Sequence, residues 1–116
     1  MVQEEQKLKD FYEIHARFCK AMAHPTRLHI LDLLKFGTKN VNELAAELGV
    51  AQANLSQHLS ILREIGVVEA RRVGINVQYS VASPKIIEAC ALVKQIVFEK
   101  AERQNKVLFG KTSKKP

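Results

Sequence analysis

The chain has 116 residues, 47% hydrophobic and 26% charged, with a formal net charge of +6. That is one domain by size, apolar enough to fold and small enough to gain from a partner subunit. No apolar run is long enough for a membrane span, Met1-Val2-Gln3-Glu4 is no signal-peptide start, and two distant cysteines make no secreted disulfide scaffold. A cytoplasmic location is expected. The charge is uneven: from Lys100 onward six Lys or Arg accompany one Glu, whereas the first 99 residues hold 12 basic and 11 acidic side chains. The body is thus almost neutral, and the basic tail suits a solubilising or phosphate-attracting role.

Residues 1 to 6 are polar and expected to fray. From Lys7, Leu8, Phe11, Tyr12, Phe18 and Met22 recur at steps of three and four and predict a first helix, with His15 and Cys19 on the same stripe. His24-Pro25 breaks the chain, and Pro suits the first turn of a second helix. That helix carries Leu28, Ile30, Leu31, Leu33 and Leu34, apolar on most sides, as the centre of a small core requires. After Phe36-Gly37-Thr38-Lys39, Asn40 can cap a third helix whose Glu43 completes an Asn-x-x-Glu capping box. Leu44, Ala45 and Leu48 keep the helical spacing, and Gly49 ends it in the left-handed conformation.

A fourth helix then runs from Gln52 to Ile65, closed by Gly66. Leu55, Leu59, Leu62 and Ile65 form its inward face; Gln52, Asn54, Ser56, Gln57 and Ser60 form its outward one. A merely solvated face is usually rich in Lys and Glu. This one is uncharged over three turns and dense in hydrogen-bonding groups. Asn and Gln pair bidentately with adenine edges, and Ser reaches bases or phosphates. Two short helices joined by a tight turn, the second bearing such a face, make a helix-turn-helix reader of a DNA major groove. His58, on the same helix, is either a groove contact or a packing residue.

Val67-Val68-Glu69-Ala70-Arg71-Arg72-Val73 and Val77-Gln78-Tyr79-Ser80-Val81 alternate as strands around Gly74-Ile75-Asn76, which predicts a hairpin. Beside a reading helix it is a wing, with Arg71 and Arg72 at phosphates or in the minor groove and Asn76 at the tip. Ser83 and Pro84 then start a last helix. Ile86, Cys90, Val93, Val97 and Ala101 form one stripe, widened by Ile87, Leu92, Ile96 and Phe98. A terminal helix so broadly apolar needs more than one domain core to cover it. Gly110 onward reads as a basic, unstructured tail, leaving 1–109 as the folded domain.

Several motifs in order resemble one family. Leu55-Ser56-Gln57-His58-Leu59, Leu62-Arg63-Glu64, Gly66-Val67-Val68, Arg72-Val73-Gly74 and Tyr79-Ser80-Val81 are similar to the winged-helix core of the ArsR/SmtB repressors. His24-Pro25-Thr26-Arg27-Leu28-His29-Ile30-Leu31 resembles that family's second helix. The resemblance implies a mainly α winged helix-turn-helix of about five helices with a β-hairpin wing. It also implies a homodimer built by the first and last helices. Two reading helices would then lie about 34 Å apart and meet a palindromic double-stranded operator.

ArsR-like repressors usually release DNA when a metal, metalloid or oxidant binds. The family's Cys-x-Cys site would fall in Asn42–Leu48, which has no cysteine; its Asp and His site would fall on the last helix, which has neither. Both standard metal sites are absent, and no cofactor is required. Ala51 also replaces a common Ser cap of the reading helix. Three readings stay open for Cys19 and Cys90: a thiol switch by disulfide or persulfide, a metal or metalloid site with His15, or two small buried hydrophobes. No Gly-rich phosphate loop, HExxH or Gly-x-Ser-x-Gly argues for an enzyme. The rival reading is a winged helix used only for protein–protein contact, which an acidic reading face would favour; none is present.

Overall fold

The structure is a computed structural model that describes residues 2–104, together with the backbone of residues 107–108 and 111–112. The chain divides into two compact units, Met1–Ala82 and Ser83–Pro116.

In the first unit, α1 spans Val2–Met22. It starts earlier than its apolar stripe, so the expected fraying over residues 1 to 6 gives way to helix from Val2. Glu4 and Glu5 lie in the first turn, where acidic groups complement the positive end of the helix dipole, and Gln6 donates to Asp10 one turn on at 3.1 Å. α2 spans Pro25–Leu34; Pro25 opens it, and the His24 Nδ1 accepts from the Thr26 N–H at 3.2 Å as its cap. Of its apolar residues Ile30, Leu31 and Leu34 are buried, whereas Leu28 stays exposed.

A two-residue strand β1, Lys39–Asn40, precedes α3, Val41–Leu48. The capping box forms as expected: Asn40 Oδ1 accepts from the Glu43 N–H at 2.8 Å, and Glu43 Oε1 accepts from the Asn40 N–H at 2.9 Å. Gly49, at φ 68°, ends the helix and turns the chain into α4, Gln52–Glu64. Leu55, Leu59 and Leu62 of α4 meet Ile30, Leu31 and Leu34 of α2 and Leu44 of α3 in one buried core. Each such leucine contributes about 1.5–3 kcal/mol by leaving water.

α4 ends at Gly66, φ 81°, with the Val67 N–H donating back to the Leu62 carbonyl at 3.1 Å. This left-handed stop sends Val67 and Val68 into the core. β2, Val68–Val73, and β3, Asn76–Val81, pair antiparallel, and β1 joins the other edge of β3. The hairpin turn is Gly74-Ile75, with Gly74 at φ 63°; Asn76, expected in the turn, pairs with Val73.

In the second unit, Ser83 Oγ accepts from the Lys85 N–H at 3.2 Å and caps α5, Pro84–Arg103. Val107–Leu108 and Lys111–Thr112 then pair antiparallel as β4 and β5. Of the tail expected to be unstructured, Lys111–Thr112 form one paired segment; Gly110 and residues 113–116 lie outside the described ones.

Candidate nucleic-acid interface

The reading helix is placed by what precedes it. The capping box fixes the start of α3, and Gly49 fixes its end, donating its N–H to the Ala45 carbonyl at 2.8 Å. Only Gly49, Val50 and Ala51 then separate α3 from α4. The turn brings the two helix starts together, because Gln52 Nε2 donates to Asn42 Oδ1. Ala51 occupies the N-cap of α4 and gives it no side-chain hydrogen bond.

Gln52, Asn54, Ser56, Gln57 and Ser60 are all exposed, opposite the buried Leu55, Leu59 and Leu62. No carboxylate interrupts them before Glu64. Ser56, Ser60 and Arg63 fall at steps of four and three, so the row ends on a cation. This face can donate to and accept from base edges over three turns without the desolvation cost of a buried ion.

His58 is different. Its ring is half-buried, 4.5 Å from the His24 ring at 50°, and its Nδ1 accepts from Arg27 Nε at 3.2 Å. Burial, with His24 and Arg27 adding to it, lowers its proton affinity below the ordinary imidazole value of 6.5. His58 therefore looks back at α2, as its packing reading requires.

The wing also divides a pair that the sequence treated alike. β2 and β3 run in unbroken register, with Arg71 opposite Gln78 and Arg72 opposite Val77, so the two arginines project from opposite faces. Arg71 lines a groove of about 780 Å³ with Thr38, Glu69, Gln78, Ser80 and Arg63 of α4. Asn76 is exposed at the base of the turn, and Ile75 caps the tip at 94% exposure.

The sensing candidates are distributed over both units. His15 and Cys19 are exposed on α1, and Cys90 is half-buried on α5. Among the described residues no group of three or more His, Cys, Asp or Glu could hold a metal ion. Sequence reasoning missed Asn42, Arg27 and His24 as partners of the reading helix. Only the short α3–α4 turn could have pointed to Asn42.

A family model described as bacterial regulatory protein, arsR family, matches residues 24–70. Over 87 residues the chain is 42% identical to an uncharacterised HTH-type transcriptional regulator of Mycobacterium tuberculosis, covering 74% of this chain and 76% of that one. The crystal structure of that regulator, Rv0081, superposes with a TM-score of 0.76 at 39% identity over 81% of this chain and 95% of the other. A probable mercury resistance operon repressor of Streptomyces lividans is 36% identical over 86 residues, 74% of this chain and 69% of its own. A homodimeric winged helix-turn-helix DNA-binding domain from Mycobacterium bovis, solved by NMR, matches with a TM-score of 0.76 at 35% identity, covering 82% and 88%.

Proposed function

Because the chain belongs to the arsR family of bacterial regulatory proteins, we propose that it represses transcription by binding a palindromic operator as a homodimer. It is a transcriptional regulator with a winged helix-turn-helix fold. The observation that carries the finer reading is the outward face of α4, uncharged, exposed and made of Gln, Asn and Ser. Gln52, Asn54, Ser56, Gln57 and Ser60 read bases, and the wing supplies phosphate contact through Arg71, which shares its groove with Arg63 at the end of the serine row.

Two observations support a twofold partner. Leu8, Phe11 and Tyr12 on α1 are 54%, 53% and 59% exposed, and Leu92, Val93, Ile96 and Val97 on α5 are each more than half exposed. Apolar rows of this kind are covered in a dimer. The Mycobacterium bovis neighbour is homodimeric. Repression is the activity named for the Streptomyces lividans relative.

Release is assigned to thiol chemistry. α3 has no cysteine, α5 has neither His nor Asp, and Cys19 is open to solvent. Peroxide or polysulfide would take two electrons from Cys19 and Cys90 as their S–S bond forms and two protons leave. The function is tested by selection from a pool of random duplexes. Enrichment of an inverted repeat whose half-sites lie about one helical turn apart supports it. Repeated rounds that enrich no sequence would overturn it.

A further inference from the structure

We propose that Arg27, His58 and His24 are positioning residues that seat the reading helix, and that they hold it only while the His58 imidazole is neutral, so that acidification weakens operator binding. The inference rests on α4 being the helix that meets DNA.

One guanidinium joins three helices. Arg27, in the first turn of α2, sends Nε to His58 Nδ1 on α4 at 3.2 Å and a terminal nitrogen to the Ala21 carbonyl of α1 at 2.7 Å. That carbonyl lies in the last turn of α1, where helix carbonyls lack intrahelical partners. The His58 ring also packs on His24, whose Nδ1 caps α2 by accepting from the Thr26 N–H. Arg has donors only. His58 must therefore present an Nδ1 lone pair and carry its proton on Nε2. A second proton turns that acceptor into a donor facing another donor, and places a cation between a guanidinium and a second imidazole.

The groups that act on the His58 charge are His24 and Arg27, and burial acts with them in the same direction. Among the described residues, α1, α2, α3 and β2 pack against α4. On α3, Glu43 accepts from the Asn40 N–H and Glu47 takes Lys39; on α2, Asp32 takes Lys35. On β2, Glu69, Arg71 and Arg72 are exposed, as are Arg17 and Lys20 near the end of α1. The sign follows from linkage. His58 binds its proton less readily folded than unfolded, so its contribution to stability is complete above pH 6.5 and is lost as pH falls through the lowered value. General electrostatics has the opposite sign, because positive charge gained on acidification should tighten phosphate binding.

The test is a set of titrations of the full chain on a duplex selected from the random pool, at constant ionic strength from pH 8 to pH 5.5. Wild-type affinity should fall about tenfold, the worth of one hydrogen bond to a charged group. His58→Asn keeps an acceptor near the Nδ1 position and cannot titrate; it should bind as wild type at pH 8 and lose less than about twofold on acidification. An equal fall in both proteins, or tighter wild-type binding at low pH, overturns the proposal. Nitrogen NMR of the DNA-free protein decides the lock separately: His58 should be the Nε2–H tautomer at pH 8, and amide exchange in α4 should accelerate at low pH in wild type but not in His58→Asn. A protonated Nδ1 at pH 8 would also overturn it. If no duplex is selected at any pH while these DNA-free results hold, the DNA reading fails and the lock stands.

Discussion

Arg71→Ala and Arg72→Ala alter adjacent residues of one strand yet should behave differently. The unbroken β2–β3 register sets the two side chains on opposite faces of the wing, and Arg71 is the one that shares a groove with Arg63 at the end of α4. A dimer carries two wings, so losing Arg71 removes two phosphate contacts per complex. At about 0.9 units of log–log salt slope per contact, the dependence should flatten by roughly 1.8 units. Between 50 and 200 mM salt, Arg71→Ala should thus lose about tenfold less affinity than wild type does. Arg72→Ala should keep the wild-type slope. Fluorescence anisotropy titrations on the selected duplex at five salt concentrations measure both. Equal flattening by the two variants, or flattening by Arg72→Ala alone, would refute the assignment of faces.

The N-cap of α4 gives a stability prediction: Ala51→Ser supplies the missing side-chain acceptor and should raise stability by about 1 kcal/mol, visible as a melting point a few degrees higher; no rise would mean the cap is already satisfied. Val93 lies on the exposed apolar row of α5, so Val93→Glu should dissociate the dimer through an unpaired charge at the interface; sedimentation of wild type as a monomer at micromolar concentration would contradict the twofold arrangement. For release, polysulfide should lower operator affinity in wild type and leave both Cys19→Ser and Cys90→Ser unaffected, while zinc or arsenite should do nothing to the reduced protein. Release by a metal that is lost in His15→Ala would reverse that assignment.

What the sequence disclosed was local. The Asn40–Glu43 box, the Gly49 and Gly66 stops and the Leu55, Leu59 and Leu62 face each depend on residues within one or two turns, and each forms as expected. The strand β1 was hidden because Lys39 and Asn40 carry no strand pattern; their pairing comes from Tyr79 and Gln78, nearly forty residues away. His58 stayed open between groove and packing for a similar reason. Its helix position allows either direction, and the choice is made by Arg27 and His24, more than thirty residues upstream. Arg71 and Arg72 read as one basic pair because adjacency in sequence conceals alternation across a strand. The start of α1 was missed by weighing apolar periodicity above the acidic first turn that stabilises Val2 onward.

The central claim is that α4 reads base sequence, and Gln57 tests it most directly. Gln57 stands exposed in the second turn, one residue from the packing His58 and two from the buried Leu59. Gln57→Ala should leave the fold intact and cost about 1–3 kcal/mol per half-site on the selected duplex, with little change on a random duplex of equal length and salt. The ratio of the two affinities is the measurement. A ratio that collapses in the variant is the predicted result; a ratio that stays at the wild-type value, with both affinities lowered equally or neither lowered, would contradict the claim.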